Sequence, residues 1–284
     1  MTEKKPKKAK LEMKFHTKVY RKMWREAASF LYKMHSEYAI PTTLGVCLTH
    51  LCNIRCPYCM RESFHPQEGP LTRDIVKGML HRMPYISGIC VMGLCEPFMN
   101  VEAPKIVRWL KDVGGYKMAL TTNGMVPLTE DRLDCLLRVD DFVISIDTYD
   151  SKTFKHLRGG ADLNRVMNSL ENVIEFKRSR GLGRYDNPPI HINSVITTLN
   201  FHQIPGLIKM LEPYAKDLTY LMVDPVSRPD YSKFEEPLAL VHNKEFEESI
   251  NKYRKIAKKS PLQVVVSTTC LFPATIGLIA ALPG

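Results

Sequence analysis

The sequence lacks the features that place a protein in a membrane or outside the cell. No window approaches the roughly 18 consecutive apolar residues that a membrane-spanning helix needs. The basic N-terminus is not followed by the apolar region of a signal peptide. The apolar stretch 271–282 is short and contains Pro273, which is more typical of a core segment. We therefore expect no membrane span and a cytoplasmic protein.

The chain also lacks internal repeats and tracts of one residue type. Its 284 residues are 44% hydrophobic, and its 19 prolines and 15 glycines are dispersed, as is typical of a globular protein with a buried core. The net charge is +10, but five of the lysines lie in the stretch 4–10. No aromatic residues are interleaved with them, as single-strand binding would require. We predict a disordered basic tail over residues 1–12 and do not expect a nucleic-acid partner.

Residues 15–38 carry apolar side chains at three- and four-residue steps, opposite a basic face. This spacing predicts an amphipathic helix within residues 13–41, which Pro41 ends. Such a helix can lie on a membrane surface. Packing against the following domain is the more common arrangement and the one we expect.

Beyond residue 42, short apolar runs alternate with longer amphipathic segments. The predicted strands are 43–49, 87–93, 117–122, 142–147, 190–197 and 218–224. The predicted helices lie near 72–83, 102–113, 129–138, 163–179, 201–215 and 243–258. This alternation is typical of βαβ units and predicts an α/β fold with a parallel sheet and helices outside. The pattern alone fits both a partly closed barrel and an open, doubly wound sheet.

In either architecture, functional residues gather at the carboxyl ends of the strands. Polar or unusual residues follow five of the six predicted strands. They are the cysteines of 52–59, Gly93 with Glu96 and Pro97, Thr122 to Gly124, Ser145 with Asp147, and Asp224 with Pro225. The sequence therefore predicts one functional rim.

Cysteine is the most informative residue type in this chain. Without a secretory signal, its eight cysteines are not expected to form disulfides, and a cluster of them indicates a metal site or catalysis. Cys47, Cys90 and Cys135 lie in apolar surroundings and are predicted to be buried, small hydrophobic residues.

Three cysteines fall within eight residues, as Cys52-x3-Cys56-x2-Cys59. Thiolates bind zinc, Cu(I) and iron–sulfur clusters. Structural zinc normally takes four protein ligands in two separated pairs, and flanking His50 and His65 do not give such spacing. A four-iron cluster normally takes four cysteines, so three would leave one iron open, which is typical of a catalytic metal site.

The three-cysteine spacing, with Tyr58 just before the third cysteine, resembles the signature of the radical S-adenosylmethionine (radical SAM) enzymes. The resemblance implies that Cys52, Cys56 and Cys59 bind a [4Fe–4S] cluster whose open iron binds SAM. It covers about residues 43–225 and implies a partial (β/α)6 TIM-like barrel of parallel strands with helices outside. We place this core at residues 42–240.

The segment 93-GLCEP-97 resembles the family motif that receives the methionine amino group of SAM, which assigns Gly93 and Glu96 to SAM binding. Cys95 stands where a glycine is usual. We interpret it as a tolerated small residue, with a role for its thiol as the alternative.

Three further segments match the family in order along the chain. Asn123 of 121-TTNG-124 lies by resemblance near SAM. Ser145 and Asp147 of 145-SID-147 resemble its ribose- and carboxylate-binding strand, and Arg158 lies in a matching 158-RGG-160. Val223 falls where an apolar residue flanks the adenine.

Residues 241–284 are predicted to hold a helix and the start of a C-terminal extension. Cys270 and Gly284, with thirteen residues between them, resemble the opening of a SPASM or twitch domain. The other cysteines of such a domain are absent, so the extension is incomplete. A second iron–sulfur cluster through Cys270 is expected only if the chain continues, and the alternative is an ordinary cysteine.

The resemblance implies reductive cleavage of SAM to a 5′-deoxyadenosyl radical that takes hydrogen from a substrate. It implies a low-potential electron donor, such as a flavodoxin or ferredoxin. The SPASM-like ending suggests a peptide or protein side chain as substrate, while a small molecule or nucleotide remains open. The alternatives are a non-catalytic zinc or iron–sulfur protein, and an inactive relative that binds SAM.

Overall fold

The computed structural model describes residues 42–59, 61, 69–226 and 244–266. The predicted tail and N-terminal helix, His65, Cys270 and Gly284 lie outside these ranges. No helix among the described residues is long and apolar enough to cross a membrane.

The described residues form alternating strands and helices, as the sequence predicts. The strands are β1 (Thr43–Val46), β2 (Gly88–Val91), β3 (Lys117–Thr122), β4 (Asp141–Ser145), β5 (Ile190–Ile196), β6 (Leu218–Pro225) and β7 (Val264–Val266). The α-helices are α1 (Arg73–His81), α2 (Ala103–Trp109), α3 (Glu130–Leu136), α4 (Ser151–Leu157), α5 (Leu163–Ser179), α6 (Ile204–Leu211) and α7 (Lys244–Lys259).

The strands form one parallel sheet in sequential order, from β1 to β7. Each strand pairs only with its neighbours in the chain, and β1 does not pair with β7. Right-handed crossovers curl such a sheet in one direction, which gives a partial barrel with helices outside. The prediction of a TIM-like α/β barrel is confirmed, and β7 extends the sheet beyond the predicted core boundary at residue 240.

The two faces of the sheet differ sharply in burial. The outer face carries apolar rows such as Val46, Val91, Leu120, Phe142 and Ile190, all buried under the helices. Helix α5 shows why: Leu163, Val166, Leu170, Val173 and Ile174 form the buried stripe that its 3.6-residue period predicts.

The inner face, by contrast, faces the barrel interior and is polar and partly exposed. Val143, His191 and Tyr220 form one lateral row across β4, β5 and β6. Ser145, Asn193 and Met222 form the next row toward the carboxyl ends. Successive strand residues point to opposite faces of the sheet. Each strand therefore places one set of side chains in the core under the helices and the other set in the barrel interior.

Candidate functional site

The three cysteines lie on the loop that follows β1, residues 52–59, which we call the cysteine loop. All three are partly buried free thiols, and the Cys59 N–H donates to the Cys56 carbonyl at 2.9 Å. Burial raises the pKa of Cys56 to about 11, against the opposing effect of Arg158, and burial also raises the pKa of Cys52. Because metal ligands must be thiolates, these thiols need a positive partner such as a metal to lose their protons.

Asp147, two residues beyond β4, is a buried carboxylate that fixes the cysteine loop in place. Arg158 donates to both of its oxygens, at 2.5 Å from Nε and 2.7 Å from Nη2. The Tyr58 hydroxyl donates to it at 2.7 Å, and the Val195 N–H donates at 2.8 Å. Since these four hydrogen bonds occupy both oxygens, Asp147 joins the loop to the carboxyl ends of β4 and β5.

The backbone of the cysteine loop also packs directly on the glycine of the Arg158-Gly159-Gly160 segment. Gly159 has a φ of +53°, and a Cβ there would collide with the carbonyl oxygen of Arg55. Only glycine satisfies both the left-handed backbone and this close approach. The close approach of the cysteine loop therefore requires glycine at position 159.

Glu96 and Asn123 form a second connection to the cysteine loop. The Asn123 N–H donates to Glu96 at 2.8 Å, and its side-chain amide donates to Cys52 Sγ at 3.5 Å and to Asn53 at 2.8 Å. The Glu96 N–H in turn donates to the Leu51 carbonyl at 2.9 Å. The ends of β2 and β3 are therefore linked to the same loop as the ends of β4 and β5.

Glu96 is a carboxylate buried to 1% exposure. It accepts hydrogen bonds from Thr122 at 2.7 Å and from the Phe98 N–H at 3.4 Å, as well as from Asn123. None of the ion pairs found among the described residues includes it. Burial raises its pKa, against these hydrogen bonds and the more distant charge of Arg132. A buried carboxylate without a paired cation fits a ligand that brings a positive charge.

The remaining predicted site residues lie on the same rim with different surroundings. Gly93 has a φ of +123°, and a Cβ there would lie 2.5 Å from Cys47 Sγ. Ser145 is buried on the inner face beside Asn193. Val223 is fully buried in the core cluster, on the opposite face from its neighbours Met222 and Asp224. Contact between Val223 and an adenine stays a prediction.

One cluster on the inner face was not recognised in the sequence. His191 Nε2 lies 2.9 Å from an Asp141 carboxylate oxygen, and its ring stacks on Tyr220 with centroids 4.0 Å apart. His191 Nδ1 and Asn193 Oδ1 are buried and have no hydrogen-bond partner among the described residues. The available signal was the alternation of polar His191 and Asn193 with the isoleucines at positions 190 and 192.

Cys47 corrects the sequence analysis. It was predicted to be buried, as Cys90 and Cys135 are, but it is exposed. Its neighbours Val46 and Leu48 point into the core, whereas Cys47 lies two residues after Gly45 and on the same open inner face. Interaction with the nearby Cys95 lowers the pKa of Cys47 to about 6, against the effect of burial.

Comparison with known sequences identifies the family. The model of the Radical SAM superfamily matches residues 46–211. A probable GTP 3′,8-cyclase of Sulfurisphaera tokodaii is 27% identical over 186 residues, which are 64% of this chain and 56% of that protein. A tungsten-containing aldehyde ferredoxin oxidoreductase cofactor-modifying protein of Pyrococcus furiosus is 25% identical over 173 residues, or 58% of this chain and 46% of that protein. The chain spans about half the length of these curated relatives.

Comparison with solved structures shows the same fold. Streptococcus suis SuiB bound to the precursor peptide SuiA superposes with a TM-score of 0.65 at 18% identity, over 89% of this chain and 55% of SuiB. SuiB bound to S-adenosylmethionine gives a TM-score of 0.64, over 86% and 54%. At this identity the likeness concerns the fold alone. The match to the family model, which covers more than half of the chain, shows that the chain belongs to the radical SAM superfamily, a family of enzymes that use a [4Fe–4S] cluster and S-adenosylmethionine.

Proposed function

We propose that this chain is a radical SAM enzyme whose [4Fe–4S] cluster is held by Cys52, Cys56 and Cys59. The observation that carries the proposal is that three thiols and two buried hydrogen-bond networks meet on one loop. When bound, the cluster would supply the electron that cleaves SAM to methionine and a 5′-deoxyadenosyl radical able to take hydrogen from a substrate.

A structural zinc ion is the rival occupant. Its four protein ligands would have to meet at one point. Within the described ranges, no three side chains of His, Cys, Asp or Glu meet in this way. A cluster distributes its cysteine ligands over separate irons and needs no such point, and three ligands leave one iron free for SAM.

Glu96 would bind the ammonium group of the methionine part of SAM. Its carboxylate is buried, oriented by Thr122 and Asn123, and unpaired among the described ion pairs, so a cation would offset the cost of burying it. Asn123 would orient Cys52 through its amide. Gly93 would let the backbone approach SAM closely, because it carries no side chain.

Residues from β4 to β6 would complete the SAM site. Ser145 would face the ribose from the inner face. Arg158 uses Nε and Nη2 on Asp147, so it would act on the carboxylate of SAM through its positive charge while holding the cysteine loop. Val223 would support the adenine from the core side of β6. These roles rest on the family resemblance and on the position of each residue at the rim.

The inner face of the barrel would receive the substrate. The inner-face strand positions carry the polar residues Asp141, His191, Asn193, Tyr220 and Asp224. Among the described inner-face positions from Gly45, and the residues level with it on the neighbouring strands, to the carboxyl ends of the strands, none is Lys or Arg. A triphosphate would find no cation there, whereas a neutral or cationic peptide group finds hydrogen-bond acceptors. This supports a peptide or protein side chain as substrate over a phosphorylated nucleotide.

The proposed reaction requires one low-potential electron for each SAM that is cleaved. A flavodoxin or ferredoxin is the class of donor that supplies it. Such a donor would have to approach the rim that carries the cysteine loop.

The test is SAM cleavage by the anaerobically reconstituted protein. The chain is loaded with iron and sulfide, reduced with dithionite and given SAM, and 5′-deoxyadenosine is measured by mass spectrometry. Cys56→Ala removes a proposed ligand. Cys135→Ala, which changes a buried cysteine on α3 away from the loop, is the matched control.

We expect 5′-deoxyadenosine from the wild-type chain and from Cys135→Ala, and none from Cys56→Ala. A cluster that forms without cleavage would favour an inactive SAM-binding relative. If the wild-type chain binds zinc in place of a cluster, and Cys56→Ala no longer binds that zinc, the proposal is wrong.

A further inference from the structure

We propose that a groove beside helix α4 is the docking surface for an acidic electron-donor protein. The lining of this groove, which we call the α4 groove, includes Lys152, Lys155, His156, Gly159, Gly160 and Leu199. The inference rests on the proposed function, because it gives a place on the surface to the donor that the reaction requires. None of these residues belongs to the proposed SAM site or to the substrate face.

The α4 groove lies against the cysteine loop. Gly159 forms part of the groove, and a Cβ on Gly159 would lie 2.0 Å from the carbonyl oxygen of Arg55. Arg55 is the residue before Cys56, one of the three proposed cluster ligands. The backbone of one glycine therefore lies between the groove and the loop that would carry the cluster. Because electron transfer slows steeply with distance, a donor in this groove would have a short path to the cluster.

Two glycines form the part of the groove that lies nearest the cysteine loop. Gly160, the second of them, is exposed, and a Cβ there would meet no atom within 4 Å. A folded partner can therefore bring its own surface close to the loop at this place. Half-buried Leu199 offers an apolar contact in the same groove. A small contact of this kind suits electron-transfer complexes, which are weak and bury little area.

The charge of the α4 groove selects the kind of partner. Lys152 and Lys155 are exposed on α4 beside His156, and none of the described residues that line the groove is Asp or Glu. The nearby Asp150 carboxylate caps α4 by accepting a hydrogen bond from the Thr153 N–H at 2.8 Å. A positive patch attracts a partner with a negative surface and speeds their encounter. The groove therefore fits an acidic donor protein.

The first experiment compares a protein donor with a chemical reductant. The reconstituted protein is reduced anaerobically by a reduced bacterial flavodoxin or by dithionite, and the loss of cluster absorbance is followed by stopped flow. Lys152→Glu/Lys155→Glu reverses two charges of the groove. The matched control, Lys77→Glu/Lys117→Glu, reverses two exposed lysines on α1 and at the amino end of β3. Both double variants therefore have the same net charge.

We expect flavodoxin to reduce the groove variant about tenfold more slowly than the wild type at low salt, because electrostatic steering is lost. The difference should shrink at high salt, where exposed charges are screened. The control variant should match the wild type, and dithionite should reduce all three proteins to the same extent. An equal loss of rate in the control variant, or no loss in the groove variant, would overturn the proposal.

The second experiment locates the donor without turnover. A carbodiimide joins lysines of this chain to carboxylates of flavodoxin or of a [2Fe–2S] ferredoxin, and the linked peptides are identified by mass spectrometry. We expect links at Lys152 or Lys155, and links at neither residue with both probes would show that the donor docks elsewhere. Dithionite separates this inference from the proposed function. If the dithionite-reduced wild type forms no 5′-deoxyadenosine, the proposed function is contradicted, whereas 5′-deoxyadenosine with links elsewhere contradicts only the docking surface.

Discussion

The Tyr58 hydroxyl donates a hydrogen bond of 2.7 Å to Asp147, across 89 residues of sequence. The bond ties the proposed cluster ligands to a carboxylate at the carboxyl end of β4. The same carboxylate receives Arg158 and the Val195 backbone. The position of the cysteine loop therefore depends on contacts made far from it in the chain.

Replacing Tyr58 with Phe should loosen the cysteine loop while keeping the ring. One hydrogen bond to a buried charge is lost, so we expect the free energy of unfolding to fall by about 1.5–3 kcal/mol. The iron content after reconstitution should fall with it. Chemical denaturation and iron analysis measure both. Tyr185→Phe is the control, since Tyr185 is 71% exposed, and equal results for the two variants would contradict this role.

The Arg158–Asp147 pair should be worth far more to stability than an exposed pair of similar form. Arg158→Ala leaves a buried carboxylate without its cation, which costs about 3–5 kcal/mol. Arg178 also makes a two-point contact, to Asp217, but its side chain is 61% exposed, so Arg178→Ala should cost much less stability than Arg158→Ala. Urea denaturation of both variants tests the difference. Equal losses would show that burial does not set the strength of the pair.

Gly159→Ala should displace the cysteine loop and prevent cluster loading. Its Cβ would collide with the Arg55 carbonyl. Gly160 also has a left-handed φ, +95°, but open space around it, so both variants share the backbone strain of about 1–2 kcal/mol. Only Gly159→Ala adds the collision. Iron and sulfide per chain should be much lower for Gly159→Ala than for Gly160→Ala, and similar values would argue against the close approach.

The sequence predicted the main elements because their patterns are long. Helix α5 runs from Leu163 to Ser179 with five apolar residues on one face, and both of its ends match the prediction. Helix α4 was missed because Ser151–Leu157 has only Phe154 and Leu157 buried, too few to show a period. Strand β7 was missed because three residues cannot show alternation.

The site was predictable by residue type but not by contact. Polar residues at strand ends indicated the rim, since parallel strands bring those ends together. The partners of Asp147 come from Tyr58, Arg158 and Val195, and no local pattern relates these positions. The exposure of Cys47 was also hidden, because a residue between two core side chains looks buried until the inner face is known to be open.

Glu96→Gln should change both SAM binding and the pH dependence of stability. Burial raises the pKa of Glu96, so without ligand the native protein keeps this proton where the unfolded chain has lost it. This contribution to stability is fully present below the pKa of glutamate in the unfolded chain. It is lost as the pH rises through the raised pKa of Glu96 in the native protein. Glutamine does not titrate, so the wild type should lose stability relative to Glu96→Gln as pH rises. Denaturation at a series of pH values measures the difference.

The same substitution should weaken SAM binding by about tenfold, because a charged hydrogen bond becomes a neutral one. Glu130→Gln serves as the control, since Glu130 is exposed at the start of α3, and it should leave both properties unchanged. If the wild type and Glu96→Gln show the same pH profile, Glu96 is not protonated by burial. If SAM affinity is also unchanged, the positive group of the ligand lies elsewhere on the rim, and the assignment made from the 93–97 segment is wrong.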